Sequence, residues 1–385
     1  MPIRRRVGVL YLVDKIGTGG VASHLVQVLE HLDRARFRPV VCCVAGKAAR
    51  DYDPPGHDRM VETYRRLGAH VEVLQLECIF SPRYWREWLR LVRLVRTHRV
   101  KIAHLYLFSS ILVGTVVTLA TGGVVRVAAR RESGSWWMKR HHHWAMRLAH
   151  AFNAAVVANT DEIVRECRTL EKLPTSKLHL IYNGIDIEAL RRDIAHAAPL
   201  PLPGVDGRRI GMVANLVPIK GHAVLFDAFA EVTKTHPDVT LLLVGDGPLR
   251  DELKSRCREL GIADKVHFLG RTPAARLLGR IDIAVQASLS EGGSNVVLEY
   301  MAAGLPMAAP AVGANAELLR HGDTARLFEP GDASGLAREL NHLLDRPEEA
   351  KRMGEAARRM IETELTSRAM VARMEDLYER VLEAA

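Results

Sequence analysis

Short apolar runs rich in β-branched residues alternate along the chain with longer segments whose apolar positions recur at helical spacing. This alternation predicts parallel strands joined by helices, the pattern of an α/β fold. The predicted strands of the first half are Val7–Val13, Pro39–Val44, Val71–Leu76, Ile102–Tyr106, Val124–Ala129, Ala154–Ala158 and Leu178–Tyr182. Those of the second half are Arg209–Asn215, Thr240–Gly245, Val266–Leu269, Ile281–Gln286 and Leu305–Ala309.

A proline-rich stretch separates the two series of strands. Residues 197–204 contain three prolines, which cannot join a sheet ladder and favour extended backbone. A chain of 385 residues also suits two domains of ordinary size. We therefore predict a first domain over residues 1–197 and a second over residues 205–367, each a doubly wound sheet.

The composition is that of a folded globular protein, with 48% hydrophobic and 26% charged residues. Five scattered cysteines without CxxC spacing fit neither a disulfide framework nor a zinc site, so we expect a reducing, cytoplasmic location. The basic N-terminus leads into a short run that is typical of a strand, and no small-residue cleavage site follows it. We predict no signal peptide.

One stretch, residues 102–125, has no charged side chain and is long enough in principle to cross a bilayer. Polar residues and the pair Gly122-Gly123 interrupt it, so we interpret it as a buried strand, a helix and a turn.

The positive charge is concentrated in the first half of the chain. Residues 1–200 contain 31 lysines and arginines against 18 acids, whereas the remainder contains 23 against 27. Such asymmetry indicates nucleic acid, an anionic substrate or an anionic membrane surface. Because no nucleic-acid motif accompanies it, we expect no nucleic-acid partner.

The stretch 281–306 predicts a strand, a glycine-containing turn and a short helix that begins after Ser294 and ends at Gly304. In open α/β sheets, ligands bind beyond the carboxyl ends of the strands, and helix N-termini favour anions. Glu291 lies before the helix and Glu299 lies within it. A carboxylate accepts two hydroxyl hydrogen bonds, which suits a sugar or ribose diol. Spacing alone leaves open that both are ordinary surface acids.

The run from Glu291 to Glu299, followed by Met301-Ala-Ala-Gly-Leu-Pro306, resembles the signature of the retaining glycosyltransferase family 4, also called glycosyl transferases group 1. Further segments resemble the same family in the same order, and they cover most of the chain. They are Gly17–Gly20, Val156–Thr160, Ile181–Asp186, Gly211–His222, Leu241–Pro248 and Val266–Arg271.

The resemblance implies a GT-B fold, with two Rossmann-like domains facing across a cleft, the acceptor site in the first and the donor site in the second. It also implies no bound metal or other cofactor, and a last helix, 368–385, that returns to the first domain. Carried over to this chain, Glu299 would hold the ribose, Glu291 the transferred sugar, and Lys220 the leaving diphosphate. The remaining donor-side positions would be Gly19, Gly20, Asn215, Gly270, Arg271, Gly292, Gly293, Ser294, Asn295 and Val296.

The sequence departs from the family's commonest pattern in two places. Asn215 stands where an arginine is frequent, and an amide supplies no charge, so phosphate stabilisation would rest on Lys220 and the helix terminus. In the first domain, Arg131 and Glu132 replace a frequent histidine and become candidates for acceptor contact. His104, at the end of an earlier strand, is a further candidate, although such a histidine is more often structural.

The run Trp136–Trp144 combines three tryptophans, two basic residues and three histidines. Adjacent histidines cannot all face one ion from a helix, which disfavours a metal site. Tryptophans beside Lys139 and Arg140 suit a headgroup interface, although packing of the tryptophans under a surface helix is the simpler alternative.

The resemblance implies a retaining glycosyltransferase that moves a sugar from a UDP- or GDP-sugar to a hydroxyl of a glycan or glycolipid, in cell-surface polysaccharide or glycolipid synthesis. We expect the sugar nucleotide to be a substrate rather than a cofactor, and peripheral contact with an anionic membrane through the basic first domain, at the inner face. The alternatives are a nucleotide-binding subunit without turnover and a sugar-nucleotide epimerase of the same fold.

Overall fold

The computed structural model describes residues 6–17, 19–44, 54–76, 84–131, 138–200 and 207–385. The chain divides into two compact units, Met1–Gly184 with Ser367–Ala385, and Ile185–Thr366. The division therefore falls before the proline-rich stretch that we predicted as the boundary. Ile185 bridges to Thr366, and Arg191 pairs with Glu362, so the segment preceding the prolines is joined to the second unit.

The first unit is built on a parallel sheet of seven strands in the order β3-β2-β1-β4-β5-β6-β7. The strands are β1 (Val7–Val13), β2 (Phe37–Cys43), β3 (His70–Val73), β4 (Val100–Tyr106), β5 (Val125–Arg130), β6 (Ala155–Ala158) and β7 (Leu178–Leu180). Its helices are α1 (Gly20–His31), α2 (Pro54–Arg66), α3 (Trp85–Thr97), α4 (Leu107–Thr121), α5 (Arg140–Ala151), α6 (Asp161–Thr169) and, from the C-terminus, α15 (Ser367–Glu383).

Helices cover both faces of this sheet, which explains why its strands are apolar at consecutive positions. Val9 and Tyr11 of β1 point into a core shared with α1, α2 and α15, whereas Leu10 and Leu12 point into a core shared with α3 to α6. The stretch 102–125 therefore forms the end of β4, helix α4 and the start of β5, as predicted. Of the helices in the described ranges, none combines the length and apolar character that crossing a bilayer requires.

The second unit has a parallel sheet of six strands in the order β10-β9-β8-β11-β12-β13. The strands are β8 (Arg209–Val213), β9 (Thr240–Val244), β10 (Val266–Phe268), β11 (Ile283–Val285), β12 (Met307–Pro310) and β13 (Arg326–Phe328). The helices are α7 (Ile187–Ala195), α8 (His222–Thr235), α9 (Arg250–Glu259), α10 (Ala274–Leu278), α11 (Asn295–Ala302), α12 (Ala314–Leu318), α13 (Ala333–Asp345) and α14 (Pro347–Glu364).

In this second sheet the strand order reverses between β8 and β11, which lie side by side. The connections that leave these two strands run in opposite directions, and a crevice opens at their carboxyl ends. Doubly wound sheets bind ligands at such a switch point. The fold therefore brings the loop after β8 and the loop after β11 to the same place.

Candidate active site

The loop after β8 ends in a short 3-10 turn, Pro218–Lys220, and α8 follows it at once. Gly221 joins the two with a φ of 66°, a left-handed conformation that favours glycine. A β-carbon at Gly221 would lie 1.9 Å from the carbonyl oxygen of Ala287. The glycine thus allows the loop after β8 to pack directly against the loop after β11, where Leu289 N–H also donates to Ile219 (2.8 Å).

Lys220 and Glu291 form an ion pair across these two loops. The Glu291 Oε1 atom also accepts hydrogen bonds from Gln286 Nε2 (3.1 Å) and Ser288 Oγ (2.8 Å). The Glu291 side chain is 11% exposed, and that of Lys220 is 27% exposed. Three donors on one carboxylate oxygen fix the position of Glu291 and keep its charge compensated.

Gln286 is the centre of this bonding pattern. Its Nε2 donates to Ser294 Oγ (2.8 Å) as well as to Glu291, and its Oε1 accepts from Asn315 Nδ2 (2.5 Å). Asn315 is held in turn by the carbonyl oxygen of Pro310 (3.1 Å). Gln286, Ser288 and Asn315 were not among the predicted site residues. Gln286 could have been found from its position as a polar residue directly after a buried strand. Nothing in the sequence pattern links Asn315 to Gln286.

Helix α11 begins after Ser294, as the sequence predicted, but Ser294 does not cap it. Ser294 occupies the N-cap position, but its hydroxyl accepts a hydrogen bond from Gln286 Nε2 and none from the backbone of the helix. The positive end of the helix dipole therefore lies beside the Lys220–Glu291 pair and favours an anion. Gly292, Gly293, Asn295 and Val296 are partly buried around this end.

The turn that contains Gly292 is fixed by backbone contacts. The Gly292 carbonyl accepts from Ala314 N–H (3.0 Å). Gly313 has a φ of 48°, and a β-carbon there would lie 2.3 Å from the Glu291 carbonyl oxygen. The chain thus passes close behind Glu291, which limits the conformations that the turn can adopt.

Glu299 lies on α11 and behaves differently from Glu291. Its Oε2 atom is buried and accepts no hydrogen bond, and burial raises the pKa of the carboxyl to about 7. The neighbouring Tyr300 is fully buried, and its hydroxyl accepts from Val213 N–H at the end of β8 (2.9 Å). Glu299 therefore has a buried carboxylate oxygen without a hydrogen-bond donor, on a helix that is held in place. Buried polar atoms in proteins are nearly always hydrogen-bonded, so this oxygen is a candidate to accept hydrogen bonds from a ligand.

The other predicted donor-side residues are less enclosed. Asn215 and Arg271 are exposed. Gly270 has a φ of 63°, and its carbonyl accepts from Gly245 N–H (2.9 Å). Gly19 and Gly20 belong to the first unit, where they are exposed at the start of α1. The space around a β-carbon at Gly19 is open.

The predicted acceptor-side residues occupy different environments in the first unit. His104 is 1% exposed on β4, its Nδ1 lies 2.5 Å from the Tyr378 hydroxyl of α15, and burial lowers its pKa to about 3. It is therefore a neutral core residue with no open surface in this structure. Arg131 follows β5 and contacts Asn183 and, at 3.3 Å, His24. Glu132 lies outside the described residues.

The run Trp136–Trp144 is described from Met138 onward, so Trp136 lies outside the described residues. Trp144 is exposed on α5, and His143 Nδ1 points inward, 3.5 Å from Glu171 Oε1. His143, Glu166 and Glu171 are close enough to share an ion, but Arg130 already pairs with both carboxylates. The buried ion pairs beneath α5 therefore account for the inward position of His143 and not for the exposed Trp144.

Two models of known protein families match the chain, one in each half. A model described as Glycosyltransferase Family 4 matches residues 18–189, and one described as Glycosyl transferases group 1 matches residues 202–360. The two matches follow one another along most of the chain. The chain belongs to glycosyltransferase family 4.

Curated relatives match this family member over part of their length. The N-acetyl-alpha-D-glucosaminyl L-malate synthase of Bacillus anthracis is 32% identical over 59% of this chain and 60% of its own. The MMP alpha-(1->4)-mannosyltransferase of Mycolicibacterium hassiacum is 32% identical over 54% of this chain and 49% of its own. These alignments thus span about half to three fifths of each relative.

Solved structures match almost the whole chain and show that it has the GT-B fold. A glycosyltransferase from Rickettsia africae superposes with a TM-score of 0.81 at 18% identity, over 99% of this chain and 100% of that one. Anabaena Alr3699/HepE, solved in complex with UDP-glucose, superposes with a TM-score of 0.81 at 21% identity, over 97% and 100%.

Proposed function

We propose that the protein transfers a sugar, with retention of anomeric configuration, from a UDP- or GDP-sugar to a hydroxyl of a glycan or glycolipid. The observation that carries this proposal is the arrangement at the switch point of the second unit. The Lys220–Glu291 ion pair and the N-terminus of α11 lie there, and the same helix carries the unsatisfied carboxylate of Glu299. Anabaena Alr3699/HepE, which shares the fold, was solved with UDP-glucose, which supports a sugar nucleotide as the donor.

Each group has a chemical role in this proposal. Breaking the bond between sugar and diphosphate leaves negative charge on the diphosphate. The Lys220 ammonium and the N-terminus of α11 would stabilise that charge more in the transition state than in the ground state. Lys220 is paired with Glu291 in this structure. Donor binding would separate this pair, so that Lys220 turns to the diphosphate and Glu291 accepts hydroxyl hydrogens of the sugar.

Glu299 would hold the ribose. Its buried Oε2 atom accepts no hydrogen bond, and a ribose offers two hydroxyl donors to one carboxylate. Those donors stabilise the ionised form, so nucleotide binding would release the proton that burial retains on Glu299 near pH 7. The nucleotide would therefore bind more tightly as the pH rises through 7.

We propose in addition that the basic first unit makes peripheral contact with an anionic membrane, which would bring the enzyme to a lipid-linked acceptor. The concentration of lysine and arginine in residues 1–200 supports this contact.

Released nucleotide is the direct test of transfer. The protein would be incubated with a panel of sugar nucleotides, with and without lipid extract, and free UDP or GDP would be measured. A transferase releases one of them in an acceptor-dependent way. Nucleotide binding without release would instead indicate a subunit without turnover, an alternative that the uncharged Asn215 favours. Epimerised donor without released nucleotide would indicate a sugar-nucleotide epimerase.

A further inference from the structure

Three adjacent helices of the first unit, α3, α4 and α5, carry large apolar side chains on their solvent side. All three helices pack on the same face of the seven-stranded sheet, and α4 contacts both of the others. The exposed apolar residues are Trp85 and Leu89 on α3, Val116 and Leu119 on α4, and Trp144, Leu148 and Phe152 on and directly after α5, each between 41% and 66% exposed. We call this surface the α3–α5 face.

The spacing of these residues makes continuous stripes. Trp144, Leu148 and Phe152 are four residues apart, as are Trp85 and Leu89, so each set lies along one side of its helix. The opposite sides of the same helices already fill the core, with Leu91 and Leu94 of α3 and Met146 of α5. Burial within the unit therefore accounts for the inner stripe of each helix and leaves the outer stripe unexplained.

The charges on the α3–α5 face have almost one sign. The three helices contain six arginines and one acid, Glu87, which is bonded to Arg90. The remaining arginines, all exposed, are Arg86, Arg93, Arg96, Arg140 and Arg147. The Arg86 guanidinium lies 5.5 Å from the centre of the Trp85 ring. Arginines thus flank the apolar stripes, and no other carboxylate on these helices offsets them.

The second unit lacks a comparable surface within its described residues. Among those residues, Leu289 in the loop after β11 is the one large apolar side chain that is exposed. Its helices mix both charge signs, as in α9, which contains four basic and three acidic residues. The α3–α5 face is therefore a local feature and not a general property of this chain's helices.

We propose that the α3–α5 face docks on the surface of an anionic lipid bilayer, with the three helices lying in the plane of the headgroups. Tryptophan and leucine side chains enter the boundary of the acyl chains, and the arginines contact lipid phosphates. The near absence of acids matches a uniformly anionic surface. This inference deepens the membrane contact proposed above by assigning it to one surface, and it does not depend on the transfer reaction.

The test is flotation of the purified full-length protein with vesicles. We expect the protein to float with vesicles that contain phosphatidylglycerol and to stay at the bottom with pure phosphatidylcholine. Binding should fall as salt is raised, because the arginine contacts are screened. The double variant Trp144→Ser/Leu148→Ser should bind at least tenfold more weakly, and Arg93→Glu/Arg147→Glu should lose the preference for anionic lipid. Leu289→Ser, an exposed leucine in the second unit, is the matched control and should float like the wild type.

Two results would overturn the proposal. One is wild-type protein that stays at the bottom with anionic vesicles, which removes the membrane contact altogether. The other is a Trp144→Ser/Leu148→Ser variant that floats as well as the wild type, which moves the contact elsewhere. Sedimentation velocity of both proteins is run in parallel. A wild-type dimer that the variant converts to monomer, without vesicle binding, would assign the face to a second copy of this chain. The melting temperature of each variant shows whether it is folded. The rise of that temperature with UDP or GDP tests the proposed donor site separately.

Discussion

In the second unit, the polar side chains that follow β8 and β11 are linked to one another and partly open to solvent. In the first unit, which has the same strand order around its switch point, polar side chains on β1 and β4 are buried against aromatic rings. His104 lies 4.5 Å from the Tyr106 ring and contacts Tyr378 of α15. Strands β1 and β4 of the first unit thus carry a neutral aromatic core, whereas the loops after β8 and β11 of the second unit carry an ion pair, and the difference lies in the side chains and in what covers them.

The pKa shifts express this difference in physical terms. Burial lowers the pKa of His104 to about 3, so the first unit's histidine is neutral at any ordinary pH. Burial raises the pKa of Glu299 to about 7, so the second unit keeps a carboxyl that is close to changing its charge. A group near its pKa and without a partner responds to a ligand, whereas a neutral, packed group does not.

The largest effect should come from Lys220→Ala. Losing the cation at the leaving diphosphate should lower nucleotide release by about 10²–10³-fold, the usual cost of losing one charge-stabilising donor. Lys220→Arg should retain part of the activity. Lys234→Ala serves as the control and should leave the rate unchanged, because this exposed lysine of α8 pairs with Glu231 of the same helix. A Lys220→Ala enzyme with the wild-type rate would remove Lys220 from the reaction.

The next largest effect should come from Gly221→Ala. The added β-carbon meets the carbonyl oxygen of Ala287 and sits on a left-handed residue, so the free energy of unfolding should fall by about 2–4 kcal/mol. Urea denaturation measures it. Gly261→Ala shares the left-handed conformation, with a φ of 68°, but has open space around it, and should lose only about 1–2 kcal/mol. Equal losses in the two variants would show that the contact between the loops is unimportant.

Glu299 should make stability depend on pH. Its pKa is raised from 4.5 to about 7, so between these values the native state holds a proton that the unfolded chain has lost. Stability should therefore fall as pH rises through this window, by an amount on the order of 1–3 kcal/mol. Glu299→Gln, which cannot ionise, should lose this part of the slope when denaturation is measured at pH 5 and pH 7.5. An unchanged slope would mean that Glu299 is ionised throughout.

The smallest effect should come from the first unit. Tyr378→Phe removes the hydroxyl that contacts His104 Nδ1 and should lower the free energy of unfolding by about 1 kcal/mol. Nucleotide-induced stabilisation should stay the same, because Tyr378 belongs to the other unit. A loss of nucleotide binding in this variant would contradict the separation of roles between the units.

Much of the fold was predictable because it depends on local pattern. Twelve of the thirteen strands in the described ranges were predicted from apolar runs. The missed strand, Arg326–Phe328, has only three residues and lies at the sheet edge, where a short run carries little periodic signal. The boundary between the units was placed too late, because the contact of Ile185 with Thr366 joins residues far apart in the sequence.

The site was predictable to the extent that it follows strand ends and helix starts. The start of α11 was identified in that way, whereas the roles of Lys220 and Glu291 come from the family resemblance and stay predictions. The Gln286–Asn315 contact was not, because it joins the end of β11 to helix α12, 29 residues later, and depends on how the backbone turns at Gly313. The environment of His104 could not be predicted either, because it depends on contact with helix α15. Tyr378 of that helix, which contacts His104, lies 274 positions later in the sequence.

The central claim is that the second unit binds a nucleotide through Glu299. It is tested most directly by a thermal-shift screen with UDP, GDP and ADP on the wild type, Glu299→Ala, and the exposed-acid control Glu348→Ala. We predict that UDP or GDP raises the melting temperature of the wild type and of Glu348→Ala, and that Glu299→Ala shows a clearly smaller rise. No shift with any of the three nucleotides, or an undiminished shift in Glu299→Ala, would contradict the assignment of the donor site.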